Sequence, residues 1–97
     1  MNKYSLSKSP FQVQKEIALK HRHLRKMAKL SQSELADRSG VSLGSIKRFE
    51  STGKISLESF LKLLHVLGRL EEFERFLEPE EDLKEIEKLF SDKIKRK

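Results

Sequence analysis

The chain has 97 residues, no cysteine and a net charge of +6, so it is long enough for one domain, and disulfide bridges and thiolate metal sites are excluded. Residues 1–54 hold twelve Lys and Arg against four Asp and Glu, whereas residues 71–88 hold nine acids against three bases; a basic front half is typical of polyanion binding, although two solvated faces would give the same pattern. Because the sequence has neither a signal peptide nor the roughly 20 apolar residues that cross a bilayer, we expect a cytoplasmic protein away from membranes.

Short helices are the predicted elements throughout, since alternating apolar and polar runs bounded by turn residues are absent. We expect an all-α chain of five or six helices. Residues 1–9 are predicted to form a flexible N-terminal arm. The first helix is predicted to begin at Ser9-Pro10, a capping residue followed by proline. Its apolar face is predicted to consist of Val13, Ile17, Leu24 and Met27.

Two short helices follow, each with a serine cap. Ser31 and Glu34 have the spacing of a capping box, and Gly40 is suited to the left-handed end of the second helix. The third helix is predicted to begin at Ser42 and to end at Phe49 or Glu50, with a turn over residues 51–54.

The rest of the chain is also predicted to be helical. A fourth helix begins at Ser56 and stops at Gly68, and its apolar residues are Leu57, Phe60, Leu61, Leu64 and Leu67. A fifth helix covers residues 70–77 and is ended by Pro79. We therefore expect one domain over residues 10–78, and an amphipathic helix with a basic tail over residues 79–97.

The second and third helices are predicted to cross steeply, because only Ser39, Gly40 and Val41 separate them. Ala36 is small enough to permit the crossing. Apolar residues at the right spacing fill the space between the helices, namely Leu35, Val41, Ile46 and Phe49. The outer face of the third helix then consists of Leu43, Gly44, Lys47 and Arg48. A short projecting helix with cations on its outer face fits the major groove of DNA.

This segment resembles the Cro/C1-type, or Xre, helix-turn-helix family, whose fold is lambda-repressor-like. The resemblance covers about residues 17–68 and rests on Leu30, Gln32, Glu34, Leu35, Ala36, Gly40, Val41, Ser42, Ile46, Glu50 and Ser56-Leu57-Glu58. It implies that the protein binds double-stranded DNA. The implied DNA-binding residues are Gln32, Ser42, Leu43, Gly44, Ser45, Lys47, Arg48, Thr52 and Lys54.

The resemblance also implies individual roles. Gln32 would contact a phosphate and brace the third helix, and Arg48 could bind guanine in a bidentate manner. Thr52 and Lys54 would hold the DNA backbone, which positions the protein without reading sequence.

The sequence departs from the family pattern at four positions. Leu43 and Gly44 cannot donate side-chain hydrogen bonds, so direct readout would be sparse and DNA shape would carry part of the specificity. His21 occupies a position that is usually apolar, and Lys29 a position where a helix-ending glycine is common.

The runs at residues 49–60 and 67–73 are similar to regulators called HipB, the antitoxins of HipA-like kinase toxins. This resemblance implies a transcriptional repressor that autoregulates its operon as a homodimer and binds such a kinase. A protein-interaction module that does not bind DNA is the alternative. A dimer or partner interface is predicted at Phe73, Phe76, Leu77, Leu83, Ile86, Leu89 and Phe90, although this face could also belong to the domain's own core.

The sequence gives little support for catalysis or metal binding. The chain has no glycine-rich phosphate loop, nucleophile elbow or metal-ligand spacing. His21 and His23 lie about 200° apart around a helix, so they do not point to a shared metal. We predict no enzymatic activity, no metal and no cofactor.

Overall fold

A computed structural model of the protein describes residues 8–79 and 87–90. The helices are α1 (Pro10–Met27), α2 (Gln32–Ser39), α3 (Leu43–Thr52), α4 (Leu57–Val66) and α5 (Leu70–Arg75). Residues 87–90 are also helical, and neither described range contains a strand. The all-α prediction is confirmed. None of the helices described is long and apolar enough to cross a membrane.

Serine side chains set the beginning of the first four helices. The hydroxyls of Ser9, Ser31, Ser42 and Ser56 each accept a hydrogen bond from the amide three residues later, which satisfies one of the unpaired amides of a helix end. Ser31 and Glu34 form the expected capping box. The predicted starts of these helices are therefore confirmed.

Two of the predicted helix ends differ from the structure. The third helix extends to Thr52 rather than Glu50, because its left-handed cap is Gly53, whose amide donates to the Phe49 carbonyl. The fifth helix ends at Arg75, two residues before the predicted end.

The core lies where α3 packs between α1 and α2, with α4 behind. Its largest fully buried side chains are Leu35, Ile46, Phe49 and Leu63. Ala36 is partly buried and packs against this cluster, in agreement with its expected role in the crossing of α2 and α3. Leu63 was absent from the predicted apolar face of the fourth helix, whereas Leu57, which was included, is exposed.

The predicted apolar face of α1 is wrong for three of its four residues. Val13, Ile17 and Met27 are exposed, while α1 buries Ala18, His21 and Arg25. The inward face was missed because two of its three residues are polar and have their partners outside α1, chiefly Glu50 on α3, which periodicity within α1 cannot reveal.

Two positive backbone angles shape the turns after α1 and α3. Lys29 has φ 61°, a conformation that favours glycine, as expected for the position where glycine is common. Gly53 has φ 84° and follows the end of α3. A Cβ atom at Gly53 would lie 2.9 Å from the carbonyl oxygen of Gln14. This glycine therefore permits the close approach of α1 to the end of α3.

We expect Gly53→Ala to cost about 1–2 kcal/mol for the left-handed backbone and about 1–3 kcal/mol more for overlap with α1. Gly40→Ala is the matched control, because Gly40 has φ 79° but a Cβ there meets no atom of the described structure within 4 Å. Urea denaturation measures both losses, and equal losses would contradict the close approach.

Candidate nucleic-acid interface

Helix α3 has one buried and one exposed face. Ile46 and Phe49 face the core, and Lys47 and Arg48 lie between them in sequence on the exposed side. Ser42, Gly44 and Ser45 are exposed at the beginning of the helix, and Leu43 is half-buried. A Cβ at Gly44 would meet no described atom within 4 Å. The structure thus brings the predicted residues of the third helix onto one outward surface.

A cleft of about 400 Å³ lies on one side of α3, where α1 and α2 meet it. Its lining residues are Arg22, Arg25, Ser31, Gln32, Lys47, Glu50 and Ser51. Arg22 and Lys47 are exposed cations beside Ser31, the cap of α2. Because a helix N-terminus carries partial positive charge and unpaired amides, this cleft suits a phosphate group.

A second cleft, of about 320 Å³, lies on the other side of α3 and is lined by Ser45, Arg48, Lys54, Ile55, Ser56 and Ser59. Its cations are Arg48 and Lys54, and Ser56 caps α4. The two clefts therefore share one feature, two exposed cations beside the beginning of a helix; the first also contains the buried pair Arg25 and Glu50. They lie on both sides of the helix predicted to enter the groove.

Two predicted DNA-binding hydroxyls also hold the ends of α3. The hydroxyl of Ser42 donates to Ser45 Oγ at 2.9 Å and accepts from the Ser45 amide at 3.1 Å. Thr52 Oγ1 donates to the Arg48 carbonyl at 2.7 Å and accepts from the Lys54 amide at 3.1 Å. Thr52 thereby sets the position of Lys54 at the second cleft.

Arg22 is a candidate site residue that the sequence analysis missed. It lies on α1, outside the two helices of the motif, and joins the first cleft only through packing between helices. The signal available in the sequence was its position one turn before Arg25 and Lys26, since residues three and four apart share a helix face.

Behind the surface, the Glu50 carboxylate joins three helices. Arg25 on α1 donates two hydrogen bonds to it, from Nε at 2.9 Å and Nη2 at 3.0 Å. Gln32 Nε2 on α2 donates to the same carboxylate at 3.0 Å, which ties α2 to α3. The expected phosphate contact of Gln32 stays a prediction. Arg25 also donates to the Leu30 carbonyl at 2.8 Å, which fixes the turn between α1 and α2.

Two titratable groups of this cluster have shifted pKa values. Burial acts to raise the pKa of Glu50, but hydrogen bonds from Arg25 and Gln32 outweigh it and hold that pKa below its usual range. Burial lowers the pKa of His21, and this effect exceeds the opposing attraction of Glu50. At neutral pH the cluster therefore contains one anion, one cation and a neutral imidazole.

The sequence model of the helix-turn-helix family matches residues 22–73, more than half of the chain and a stretch that includes α2, α3 and α4. The chain belongs to the Cro/C1-type helix-turn-helix family. This is a DNA-binding regulator family, and the crossed pair α2 and α3 is its motif in this protein. No curated protein and no solved structure matches the chain.

The predicted dimer or partner surface of this helix-turn-helix protein is described in part. Phe73 is half-buried, and Phe76 and Leu77 are 61% and 77% exposed. Leu89 and Phe90 are also exposed, and Leu83 and Ile86 lie outside the described residues. Aromatic contacts of 4.9–5.6 Å between ring centroids run from Phe49 through Phe60 and Phe73 to Phe76. The exposed ring of Phe76 is thus connected to the core through Phe73 and Phe60.

We expect Glu50→Gln to lower the free energy of unfolding by about 3–5 kcal/mol, because breaking a buried ion pair leaves the other charge unpaired, here that of Arg25. Glu58→Gln is the matched control, since the Glu58 carboxylate is exposed and its ion pair with Lys62 spans 3.6 Å; we expect no measurable loss there.

The stability difference between the wild type and Glu50→Gln should depend on pH, because the pKa of Glu50 is lowered. A carboxyl with a lowered folded-state pKa stabilises the protein above its ordinary value of 4.5, and this contribution is lost as the pH falls through the folded-state value. Denaturation curves between pH 7 and pH 3 should therefore converge for the wild type and Glu50→Gln. A constant difference over that range would contradict the role given to the Glu50 charge.

Proposed function

We propose that this protein is a sequence-specific transcriptional repressor that binds operator DNA in the cytoplasm as a homodimer, with α3 in the major groove. The observation that carries the proposal is the placement of α3 between two clefts, each with two exposed cations beside the beginning of a helix. A duplex presents phosphates on both sides of its major groove, and phosphate contacts fix the orientation of the inserted helix.

Base readout rests on few side chains. Arg48 can bind guanine in a bidentate manner, which leaves Lys54 to hold the phosphate at the second cleft, and Leu43 offers apolar surface for a thymine methyl group. Lys47 and Arg22, in the first cleft, are assigned to phosphates. Because Gly44 has no side chain, the deformability of the operator would supply part of the specificity.

A homodimer fits this function, because operator sites are commonly read by two recognition helices about 34 Å apart. The exposed pair Phe76 and Leu77, directly after the end of α5, supports an interface there. Fully burying one such side chain contributes about 1.5–3 kcal/mol, and a chain of this length gains considerably from completing its core in this way.

An antitoxin role is the proposed biological setting. Its support is the resemblance of residues 49–60 and 67–73 to HipB-type regulators. Co-expression with a kinase encoded beside the gene tests this setting. Co-purification of the two chains, together with relief of growth arrest, is the expected result, and separate elution with unchanged toxicity would contradict it.

We expect Lys47→Ala with Arg48→Ala to weaken specific binding at least about 30-fold, because contacts of this kind contribute about 1–3 kcal/mol each. Fluorescence anisotropy with a duplex selected from a random library, at two salt concentrations, measures the loss. The matched control is Lys20→Ala with Lys62→Ala, which removes the same charge from exposed positions that line neither cleft.

Equal losses in the two double variants would show that general charge, and not α3, drives binding. A wild-type protein that binds no duplex at low salt would favour the interaction module without DNA binding.

We expect Phe76→Ser with Leu77→Ser to raise the dissociation constant of the dimer at least about tenfold, since burial of these side chains would be lost. Met27→Ser is the control, because Met27 is an exposed apolar residue on another helix. Sedimentation velocity measures the dissociation constants, and an unchanged value in the double variant would place the interface elsewhere.

A further inference from the structure

His21 is a buried polar residue in the middle of α1, with 3% of its surface exposed. Its contacts on α3 are with two consecutive residues. The imidazole packs edge-on against Phe49, with ring centroids 5.0 Å apart, and its Nδ1 atom lies 3.0 Å from Glu50 Oε2. Lys47 and Arg48 directly precede this pair in the sequence. His21 therefore touches α3 next to its outward-facing cations.

The hydrogen bonding of His21 is incomplete. Nδ1 is close to the Glu50 carboxylate, but the approach does not satisfy hydrogen-bond geometry, and no group in the described part of the chain bonds to Nε2. The neutral ring needs one donor and one acceptor partner, whereas the protonated ring has two donors to satisfy. A buried donor left without an acceptor is costly, and more so when it is charged. The surroundings of His21 therefore suit the neutral ring.

The charged groups around His21 explain what protonation would do. Glu50 on α3 already accepts from Arg25 on α1 and from the neutral Gln32 amide on α2. Arg22 and Lys47 line the cleft that Glu50 also lines, and Phe60 on α4 packs behind Phe49. An imidazolium would add a second buried cation beside one carboxylate, and it would compete with Arg25 and Gln32 for the oxygens of Glu50.

We propose that His21 is a positioning residue for the recognition helix and that it acts only in its neutral form. On protonation it draws Glu50 away from Gln32 and Arg25, and the last two turns of α3, with Lys47 and Arg48, leave their DNA-binding position. DNA binding therefore weakens on acidification. The claim that movement of α3 weakens DNA binding rests on the proposed function. The claim that protonation of His21 moves α3 does not.

The expected pH range follows from the direction in which burial shifts His21. The folded-state pKa of His21 lies below its ordinary value of 6.5, so the unfolded chain binds this proton first as the pH falls. Neutral His21 contributes fully to the free energy of unfolding above pH 6.5. This contribution is lost as the pH falls from 6.5 toward the folded-state pKa of His21.

Two-dimensional NMR of the full chain between pH 7.5 and pH 5.0 tests the step from His21 to α3 without DNA. The His21 ring is expected to titrate below pH 6.5. The amide chemical shifts of residues 43–52 should change with the same midpoint. In His21→Leu and His21→Gln these amides should no longer titrate, and the second variant covers the case in which the first fails to fold. His23→Gln is the control, because His23 is exposed on the same helix.

Anisotropy with the selected duplex over the same pH range tests the step to DNA. The wild-type affinity, divided by that of His21→Gln, should fall up to about tenfold per pH unit below the His21 midpoint, as uptake of one proton requires. The His23→Gln protein should retain this fall. A parallel pH profile in the wild type and His21→Gln would overturn the proposal.

The remaining outcomes separate the inference from the proposed function. The positioning role is overturned if the α3 amide signals do not change as His21 titrates, or if the His21 ring titrates above pH 6.5. Amides that follow His21 in a protein that binds no duplex at any pH support the positioning role and overturn the proposed function.

Discussion

The Glu50 carboxylate is the constraint on which the arrangement of the helices depends, because it accepts hydrogen bonds from side chains on both α1 and α2 while it belongs to α3. An apolar core holds helices together but leaves their rotation and sliding loosely specified. A carboxylate with donors at 2.9–3.0 Å from two directions fixes both. A buried ion pair adds little to stability compared with apolar packing, and its value here lies in setting one orientation of α3.

The surface divides into regions of opposite charge, and the division follows from the order of the helices. Cations from α1, α3 and the turn after α3 gather at the two clefts, whereas α5 is rich in glutamate at Glu71, Glu72 and Glu74. Phosphate would repel the acidic side. The aromatic contacts from Phe49 to Phe76 connect the core behind α3 with this acidic side, where we propose the contacts with a second chain.

Local signals in the sequence predicted much of the fold and of the outward surface. Serine caps, the capping box at Ser31 and the left-handed Gly40 depend on a few neighbouring residues, so they could be read directly. The spacing of apolar residues within the third helix assigns Ile46 and Phe49 to the core, and this predicts the outward position of Lys47 and Arg48.

Contacts between distant residues could not be predicted in this way. The inward face of α1 is stabilised by Glu50, which lies 25 residues beyond Arg25, and apolar periodicity treats such a polar face as solvent-exposed. Arg22 was missed for the same reason, because its cleft exists only after α1, α2 and α3 have packed. The departure of His21 from the family pattern was visible in the sequence, but its consequence needed the position of its ring between Phe49 and Glu50.

Gly44 has a consequence for how such a protein can change its DNA target. Glycine in a helix is about 1 kcal/mol less favourable than alanine, yet this one occupies the first turn of α3 with open space around it in the described structure. A Cβ atom there meets no described atom within 4 Å, so in the proposed complex, with α3 in the major groove, an added side chain would face DNA. If α3 binds in the groove as proposed, a single codon change at this position could alter the choice of operator without a loss of folding.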